Sequence, residues 1–343
     1  MDWGRSYTAS WSVHPVHPAT WAESGRLARI SSASVERTRD GLLESGSLEA
    51  VEDVGAGFEP GYYRIVMVAE QDGIRTREEI ATLYCASTGV QVERGRQAVA
   101  IEGRSVLYPA SVRRLLAGSY APRGADGAQY AAEMLRGCLA APVEVTGGFA
   151  LAEHVVFELG RTVLEAVRSI LDAGNHIMQV DGHGTVRIMP KPVEPSIELS
   201  NANARLLMPK AERRLDLTGI PNVYLARDGG VQAVAVNDDP ASPTSTVTRG
   251  YEHDVTDSSP KPVDGESLAE YARRKLAEAS VVEDAVTYPR EWWPGVYPGS
   301  LVRCSLPGWG VEGGLRVVKQ SLTLGMGITV LEQAAGEVST WQA

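Results

Sequence analysis

Between residues 6 and about 102, apolar and polar side chains alternate with a period of two. Tyr7, Ala9 and Trp11 are separated by polar residues, and Ala33, Val35 and Arg37 repeat the spacing further on. Successive side chains of an extended chain point to opposite faces, so this alternation commits the segment to strands with one buried face. Strands are predicted over residues 47–51, 61–70 and 78–86. Gln71, Asp72 and Gly73 supply a hairpin turn, and Arg39, Asp40 and Gly41 a second turn. The run from Tyr62 to Ala69 is apolar on both faces in part, the pattern of a strand covered on two sides.

The period changes after Gly103. Pro109 suits the first turn of a helix running through Leu115 and Leu116 to a stop at Gly118, and a second helix is predicted over residues 128–140. Thr162 and Glu165 have the spacing of a capping box, in which each side chain satisfies a free amide of the other at a helix start. Val163, Val167, Ile170 and Leu171 then share one face, and Gly174 closes the helix. A hairpin follows, with strands over 176–180 and 185–189 around Asp181, Gly182, His183 and Gly184, and Pro190, Pro192 and Pro195 mark its exit.

Beyond residue 196 the chain returns to strands, predicted over 222–227 and 231–236 with a turn at Asp228, Gly229 and Gly230. A loop rich in Pro, Ser, Thr and Asp runs from Asn237 to about Asp264. An amphipathic helix is predicted over 267–279, where Leu268, Tyr271, Ala272, Leu276 and Ala279 form one stripe, as in a helix laid across a barrel. Final strands fall at 300–306, 315–324 and 328–333, separated by Gly308, Gly310, Gly313 and Gly314 and by Gly325, Met326 and Gly327. No short-period repeat occurs; two barrel-like segments around a mixed one suggest a loose internal duplication.

At 343 residues the chain is long enough for two or three domains, each burying its own core. Cys85, Cys138 and Cys304 lie far apart without a Cys-x-x-Cys pair or histidines at ligand spacing, and read as buried, reduced thiols. The first residues lack the basic and apolar regions of a signal peptide, and no stretch approaches the ~20 apolar residues of a membrane span, so a protein soluble where it is made, in the cytoplasm, is expected. With 33 Lys and Arg against 43 Asp and Glu, the net charge of −10 disfavours gripping nucleic acid through its phosphates. It is compatible with a surface that DNA passes without sticking.

The residues that could carry chemistry are few. His14 and His17 flank prolines without a partnering Cys or carboxylate cluster and are expected as loop residues, and His154 and Glu158 lack the zinc-protease pattern, so a solvated or capping role is expected for them. Gly55 and Gly57 read as a turn, and no nucleophile elbow or phosphate-binding loop occurs. Asp238 with Asp239 and Glu283 with Asp284 are adjacent acids that point different ways, unlike the facing pair of a glycosidase. Trp292 and Trp293 sit beside Pro294, Gly295 and Tyr297, either as a plug in the core or as a contact for a partner or a sugar. No catalytic, cofactor-binding or metal-binding residue is assigned.

Several strings, in their order, resemble the hub proteins of phage tails and related contractile injection machines. The helix over 267–279 leads through Tyr297, Pro298 and Gly299 to a strand with Leu301, Val302 and Arg303, and then to the strand over 315–324. The helix over 162–173 leads into a strand, an Asp-Gly turn at Asp181 and Gly182, and a strand ending at Pro190. Ile101, Glu102, Gly103, Arg104 and Ser105 resemble the string that leaves the first barrel of a hub. The likeness covers most of residues 100–335, while Trp11, His14, Pro15, His17 and Pro18 match nothing in the family.

The resemblance implies an α+β, β-dominated fold with two tube-type β-barrel domains flanking a mixed α/β domain. The expected divisions are residues 1–102, 103–190 with its terminal hairpin, and 191–343 with an inserted loop and the helix over 267–279. It further implies a structural, non-enzymatic subunit in the virion tail, at the baseplate or tail tip. Three copies of two barrels would form a ring of six domains, stacking on a hexameric tube and meeting a trimeric spike or fibre. Partners would be two further copies, the tail tube or distal tail protein, the tape-measure protein and the central spike or fibre, with transient passage of DNA, no cofactor and no membrane segment. The rival readings are a tail-associated cell-wall hydrolase and a receptor- or glycan-binding tail-tip module, the latter requiring an exposed loop at Trp292 and Trp293.

Overall fold

The computed structural model describes residues 1–3, 5–27, 30–39, 45–51, 59–93, 96–200, 211–228, 230–258, 260, 267–306, 311–325 and 328–341. The alternating N-terminal segment forms β1 (Thr8–Val16), β2 (Ile30–Thr38), β3 (Ser45–Val51), β4 (Gly61–Gln71), β5 (Ile74–Glu93) and β6 (Arg96–Ser105). β4 and β5 pair to the last residue, Gln71 opposite Ile74, across Asp72 and Gly73 with φ of 51° and 79°. Two positive φ values in a two-residue loop give the twist that an antiparallel pair needs, which explains the Asp-Gly sequence there. The turn residues expected at Asp40, Gly41, Gly55, Gly57, Gly229, Gly308, Gly310, Met326 and Gly327 lie outside the described residues.

The mixed segment contains α1 (Tyr108–Val112), β7 (Ser119–Ala121), α2 (Gly127–Arg136), β8 (Val143–Val145), β9 (Val155–Phe157), α3 (Val163–Ala173), β10 (His176–Val180) and β11 (Val186–Pro190). The helix expected to reach Gly118 ends at Val112. The backbone of the next residues is bonded elsewhere: Val163 N donates to Arg113 O and Leu115 N to Arg161 O, both within 2.9 Å. α2 starts where Asp126 accepts from the amides of Ala128 and Gln129, and stops at Gly137, short of Ala140. α3 carries the complete Thr162–Glu165 capping box and buries Val163, Val167, Ile170 and Leu171. β10 and β11 form the expected hairpin, and β8 joins β11 in parallel.

β12 (Ile197–Ser200) follows; then come β13 (Glu212–Leu215), β14 (Val223–Asp228), β15 (Val231–Val236), α4 (Thr246–Arg249), β16 (Asp254–Asp257), α5 (Leu268–Ala279), β17 (Val281–Glu291), β18 (Leu301–Leu306), β19 (Val311–Leu324) and β20 (Ile328–Ser339). By packing, the chain divides into two units, Met1–Ala211 with Thr287–Ala334, and Glu212–Val286 with Ala335–Ala343.

In the first unit the strand order is β1-β4-β5-β6-β3-β2-β19-β20-β17, with β18 pairing both β19 and β12. The two β-rich ends, expected as separate barrels, are thus hydrogen-bonded into one sheet. β19 is long enough to pair β18 as far as Arg316 and then β2 from Lys319 to Leu324, so one strand serves both ends. Among the described residues no barrel closes, and the fold is α+β and β-dominated. Val13, Val35, Ile65, Met67 and Ile101 share a core with Leu322, Val330 and Trp292. β4 is buried on its other face too, where Tyr62 joins Trp21, Leu164 and Val167 in the core of the mixed segment.

The hairpin turn between β10 and β11 lies directly on β5. A Cβ added to Gly182 would stand 1.7 Å from the carbonyl oxygen of Glu79, so only glycine fits between these two backbones.

In the second unit β14 lies between β15, antiparallel, and β16, parallel. α5 is capped by the Ser267–Glu270 box and packs Tyr271, Ala272 and Leu276 against Tyr224, Ala226 and Ala235. The expected helix is therefore present, but it covers a three-stranded sheet rather than a barrel. The stretch from Asn237, read as loop, holds α4 and β16. Its order comes from buried polar side chains, Asn237 Nδ2 donating to Ser242 Oγ at 2.9 Å, and such bonds leave no hydrophobic periodicity to read.

Gly182→Ala is expected to push the turn off β5 and lower the unfolding free energy by about 1–3 kcal/mol. Chemical denaturation, with wild-type stability as the result that would contradict the close approach, measures this.

Candidate functional site

Two clusters of charged side chains in the first unit are each built around a buried charge, Arg64 in one and Glu332 in the other. The first joins the hairpin turn to β4 and β5. Arg64 is almost fully buried, and its guanidinium donates to Thr82 Oγ1 at 3.1 Å, to Glu23 Oε1 at 3.0 Å and to the His183 carbonyl at 2.9 Å. Thr82 Oγ1 donates in turn to the Gly182 carbonyl at 3.0 Å, and Trp21 Nε1 to the His183 carbonyl at 2.8 Å. Trp21 takes a left-handed φ of 56°, a strain of about 1–3 kcal/mol accepted where the surroundings over-determine it. Burial pushes the Glu23 carboxyl up, but hydrogen bonds and charges from Arg77 and Arg64 outweigh it and hold the group below its ordinary range. Glu79 completes the cluster, with Arg77 at 2.9 Å and His183 Nδ1 at 2.8 Å.

The second cluster lies across three adjacent strands. Glu332 on β20 has no exposed surface and accepts from Arg290 Nη2 at 2.5 Å, Tyr288 Oη at 2.6 Å and Gln320 Nε2 at 2.6 Å. Burial raises its carboxyl pKa, and the charge and hydrogen bond of Arg290, with the hydrogen bonds of Tyr288 and Gln320, bring it below the ordinary value. Burial first, and the charge of Glu332 second, push the Tyr288 phenol well up and the Cys304 thiol to about 12. Beside this cluster Arg37 is buried under the rings of Tyr297, 5.0 Å away, and Trp292, 5.9 Å away. Tyr297 Oη also accepts from Gly182 N at 3.3 Å.

In both clusters the carboxylates are met by arginines of the same unit, which is the arrangement of a framework. The residues weighed from sequence do not converge. His14 bonds Ser12 Oγ at 2.8 Å and the Gly25 carbonyl at 2.6 Å, and His17 accepts from Ala19 N at 3.3 Å. His154, exposed, accepts from Arg123 N at 3.1 Å in the turn after β7, and Glu158 is exposed. Asp239 caps the turn at Ala241, and Asp238 is exposed. Asp284 receives Arg213 in a two-pronged bond of 2.8 and 2.6 Å; the side chain of Glu283 lies outside the described set.

Trp292 is the core plug of the two alternatives, 1% exposed, and Trp293 is half-buried. Cys85 and Cys304 are free and buried, Cys138 free and half-buried, and burial pushes the Cys85 thiol up to about 12. Among the described residues no three or more His, Cys, Asp or Glu gather as a metal-holding group, and no helix is long and apolar enough to cross a membrane. Neither buried cluster was visible in sequence. The one available signal was the charged residue at an inward position of an alternating strand, as at Arg64 within its apolar run.

Some exposed apolar side chains stand in groups. In the first unit, residues 113–121 and 155–163 form a ribbon with Leu116, Tyr120, Val156 and Leu159 exposed; beside it, Arg113, Arg114, Leu115, Glu133 and Met134 line an open groove of about 410 Å³. In the second unit, Val234 and Val236 are exposed on the face of the sheet away from α5.

Glu332→Ala is expected to strand Arg290 without its counter-charge and lower the unfolding free energy by about 3–5 kcal/mol, while Arg290→Met with Glu332→Leu loses less than either single change. The depressed Glu332 value means its contribution is complete above the ordinary glutamate range and lost as pH falls through the folded-state value. The stability gap between wild type and Glu332→Gln should accordingly narrow on acidification, as read by urea unfolding at stepped pH.

No family model matches the sequence, and no curated protein matches it. Solved structures do share its fold. The tail protein from Neisseria meningitidis MC58 is 14% identical with a TM-score of 0.66, over 96% of this chain and 97% of that one. The 43 kDa tail protein of prophage MuSo2 from Shewanella oneidensis is 11% identical with a TM-score of 0.61, over 94% and 97%. The prophage tail protein gp18 from Listeria monocytogenes EGD-e is 10% identical with a TM-score of 0.52, over 95% and 94%.

Proposed function

The chain has the fold of phage and prophage tail proteins, and from this we propose that it is a structural hub subunit at the distal end of a tail tube. Three copies close into a ring that presents approximately sixfold symmetry to the tube and threefold symmetry to a central spike or fibre, around a channel for DNA. In this reading the β-rich parts of residues 1–102 and 191–343, joined into one sheet through β2 and β19, supply the tube wall, and 103–190 is the mixed domain between them. The tail tube or distal tail protein, the tape-measure protein and the spike or fibre are its neighbours in the virion.

The observation that carries the reading is the likeness in fold along nearly the whole length of both this chain and the Neisseria tail protein. Charge and framework agree with it. An excess of ten negative charges lessens adhesion of DNA to a channel wall, and the buried clusters suit a part that bears load rather than one that turns over a substrate. A glycan-binding role through Trp292 is disfavoured, because that indole has no face free to stack on a sugar.

The test is the mass of the purified protein in solution, followed by electron-microscope images. Three times the chain mass and a ring with a central hole are expected. A single-chain species at every concentration would overturn the ring, and hydrolysis of purified cell wall would move the reading to an enzyme.

A further inference from the structure

The strands that end a sheet differ in how their free edges are guarded. Among the described residues most of them, β7, β8, β9, β12, β13 and β16, have only three or four residues. β1 has nine, but it contains Pro15, and residues 23–27 lie along it, Ser24 N donating to Pro15 O at 2.9 Å and Leu27 N to Val13 O at 2.8 Å. β10 has five, none of them exposed. Shortness, proline and cover are devices that keep an edge from pairing with another chain. β15, in the second unit, has none of them. Its six residues, Val-Gln-Ala-Val-Ala-Val, include no proline and no charge, and among the described residues it pairs with β14 alone.

Two hydrogen bonds fix which groups that edge offers. Asn237 N donates to Asn222 O at 2.8 Å, while Val223 N turns the other way and donates to His253 O at 3.2 Å. Successive residues of a ladder direct their backbone groups to alternate sides. Val231, Ala233 and Ala235 therefore bond β14, whereas Gln232, Val234 and Val236, opposite Arg227, Leu225 and Val223, direct N–H and C=O outward. The side chains of Val234 and Val236 are 58% and 41% exposed along the same stretch. A row of outward donors and acceptors beside exposed valines is met by an extended chain with apolar side chains at alternate positions. A second copy of β15 fits poorly. Paired antiparallel with Val234 on Val234, each copy would bring its exposed Asp238 and Asp239 beside the other's turn, where Arg227 and Asp228 already offset each other. Neither Asp238 nor Asp239 makes an ion pair among the described residues.

We infer that the outer edge of β15 is a strand-addition site for an extended segment of another protein, apolar at alternate residues and basic at the end that passes Asp238 and Asp239. The segment lies antiparallel to β15 as a further strand of this sheet. Its backbone satisfies the outward groups of Gln232, Val234 and Val236, and its apolar side chains continue the row of valines. The site lies within one unit and stands independently of the ring.

The probe is a fluorescein-labelled synthetic peptide, Lys-Val-Thr-Val-Thr-Val-Thr, followed by fluorescence anisotropy on the full chain. Its valines fall opposite Gln232, Val234 and Val236, so N-methylation of the valines removes the donors that face β15, and N-methylation of the threonines alters donors that face away. Saturable binding is expected, weakened at least about tenfold by methylated valines and less than about threefold by methylated threonines. Val234→Pro removes the central outward donor and no bond to β14, and should weaken binding at least about tenfold, while Val234→Thr keeps the backbone and weakens it less. Thermal unfolding within a few degrees of wild type checks that each variant is folded; should the proline variant fail this, the methylated peptides decide on wild type alone. No binding up to millimolar peptide, or equal binding of the two methylated peptides, overturns the site. Self-association of the wild type that Val234→Pro abolishes overturns the foreign partner, because a second copy then fills the edge.

Discussion

A guanidinium on a strand that is covered on both faces must find oxygens within reach, and Arg64 finds them on three separate parts of the chain. β4 therefore belongs to two cores at once. Tyr63, Ile65 and Met67 face the sheet core, while Tyr62 and Arg64 face the mixed segment. The hairpin at Asp181–Gly184 is held by this bond set and by the direct backbone approach of Gly182, so its position relative to the sheet follows from polar geometry and not from apolar burial alone.

The same hairpin reaches the other end of the chain. Gly182 N donates to Tyr297 Oη, and Gln179 Nε2 to the Pro298 carbonyl at 2.9 Å. Tyr297 covers Arg37 on β2, and Arg37 lies next to the strands that bury Glu332. N-terminal strands, mixed segment and C-terminal strands are in this way linked by directed bonds through the first unit. A buried ion pair adds little net stability over an apolar pair of equal volume, but it penalises any register that separates its members. In a sheet whose strands come from both ends of the sequence, that penalty against wrong pairing is the more useful property.

The assembly reading uses what this framework leaves outside. Glu23 and Glu332 are met inside by arginines, while on the surface Leu116, Tyr120, Val156 and Leu159 stand together on one ribbon and Val234 and Val236 on one sheet face. Scattered exposed leucines and valines need no explanation; a grouped set with a charged border is the ordinary composition of a contact surface.

The sequence by itself determined the local elements. Alternation gave the N-terminal strands, Asp72 and Gly73 gave the tightest hairpin, and the boxes at Thr162 and Ser267 gave two helix starts, because each is a short-range effect written in neighbouring residues. It misjudged the helix after Pro109, where a pairing with residues 160–163 outweighed local preference, and the stretch from Asn237, where buried polar bonds replaced periodicity. Only the tertiary structure decided that β2 pairs with β19, that Trp292 is a core residue and that Arg290, Glu332, Arg64 and Glu23 meet as partners. Those contacts join residues tens to hundreds of positions apart, and spacing along a chain carries no record of which distant strand will lie alongside.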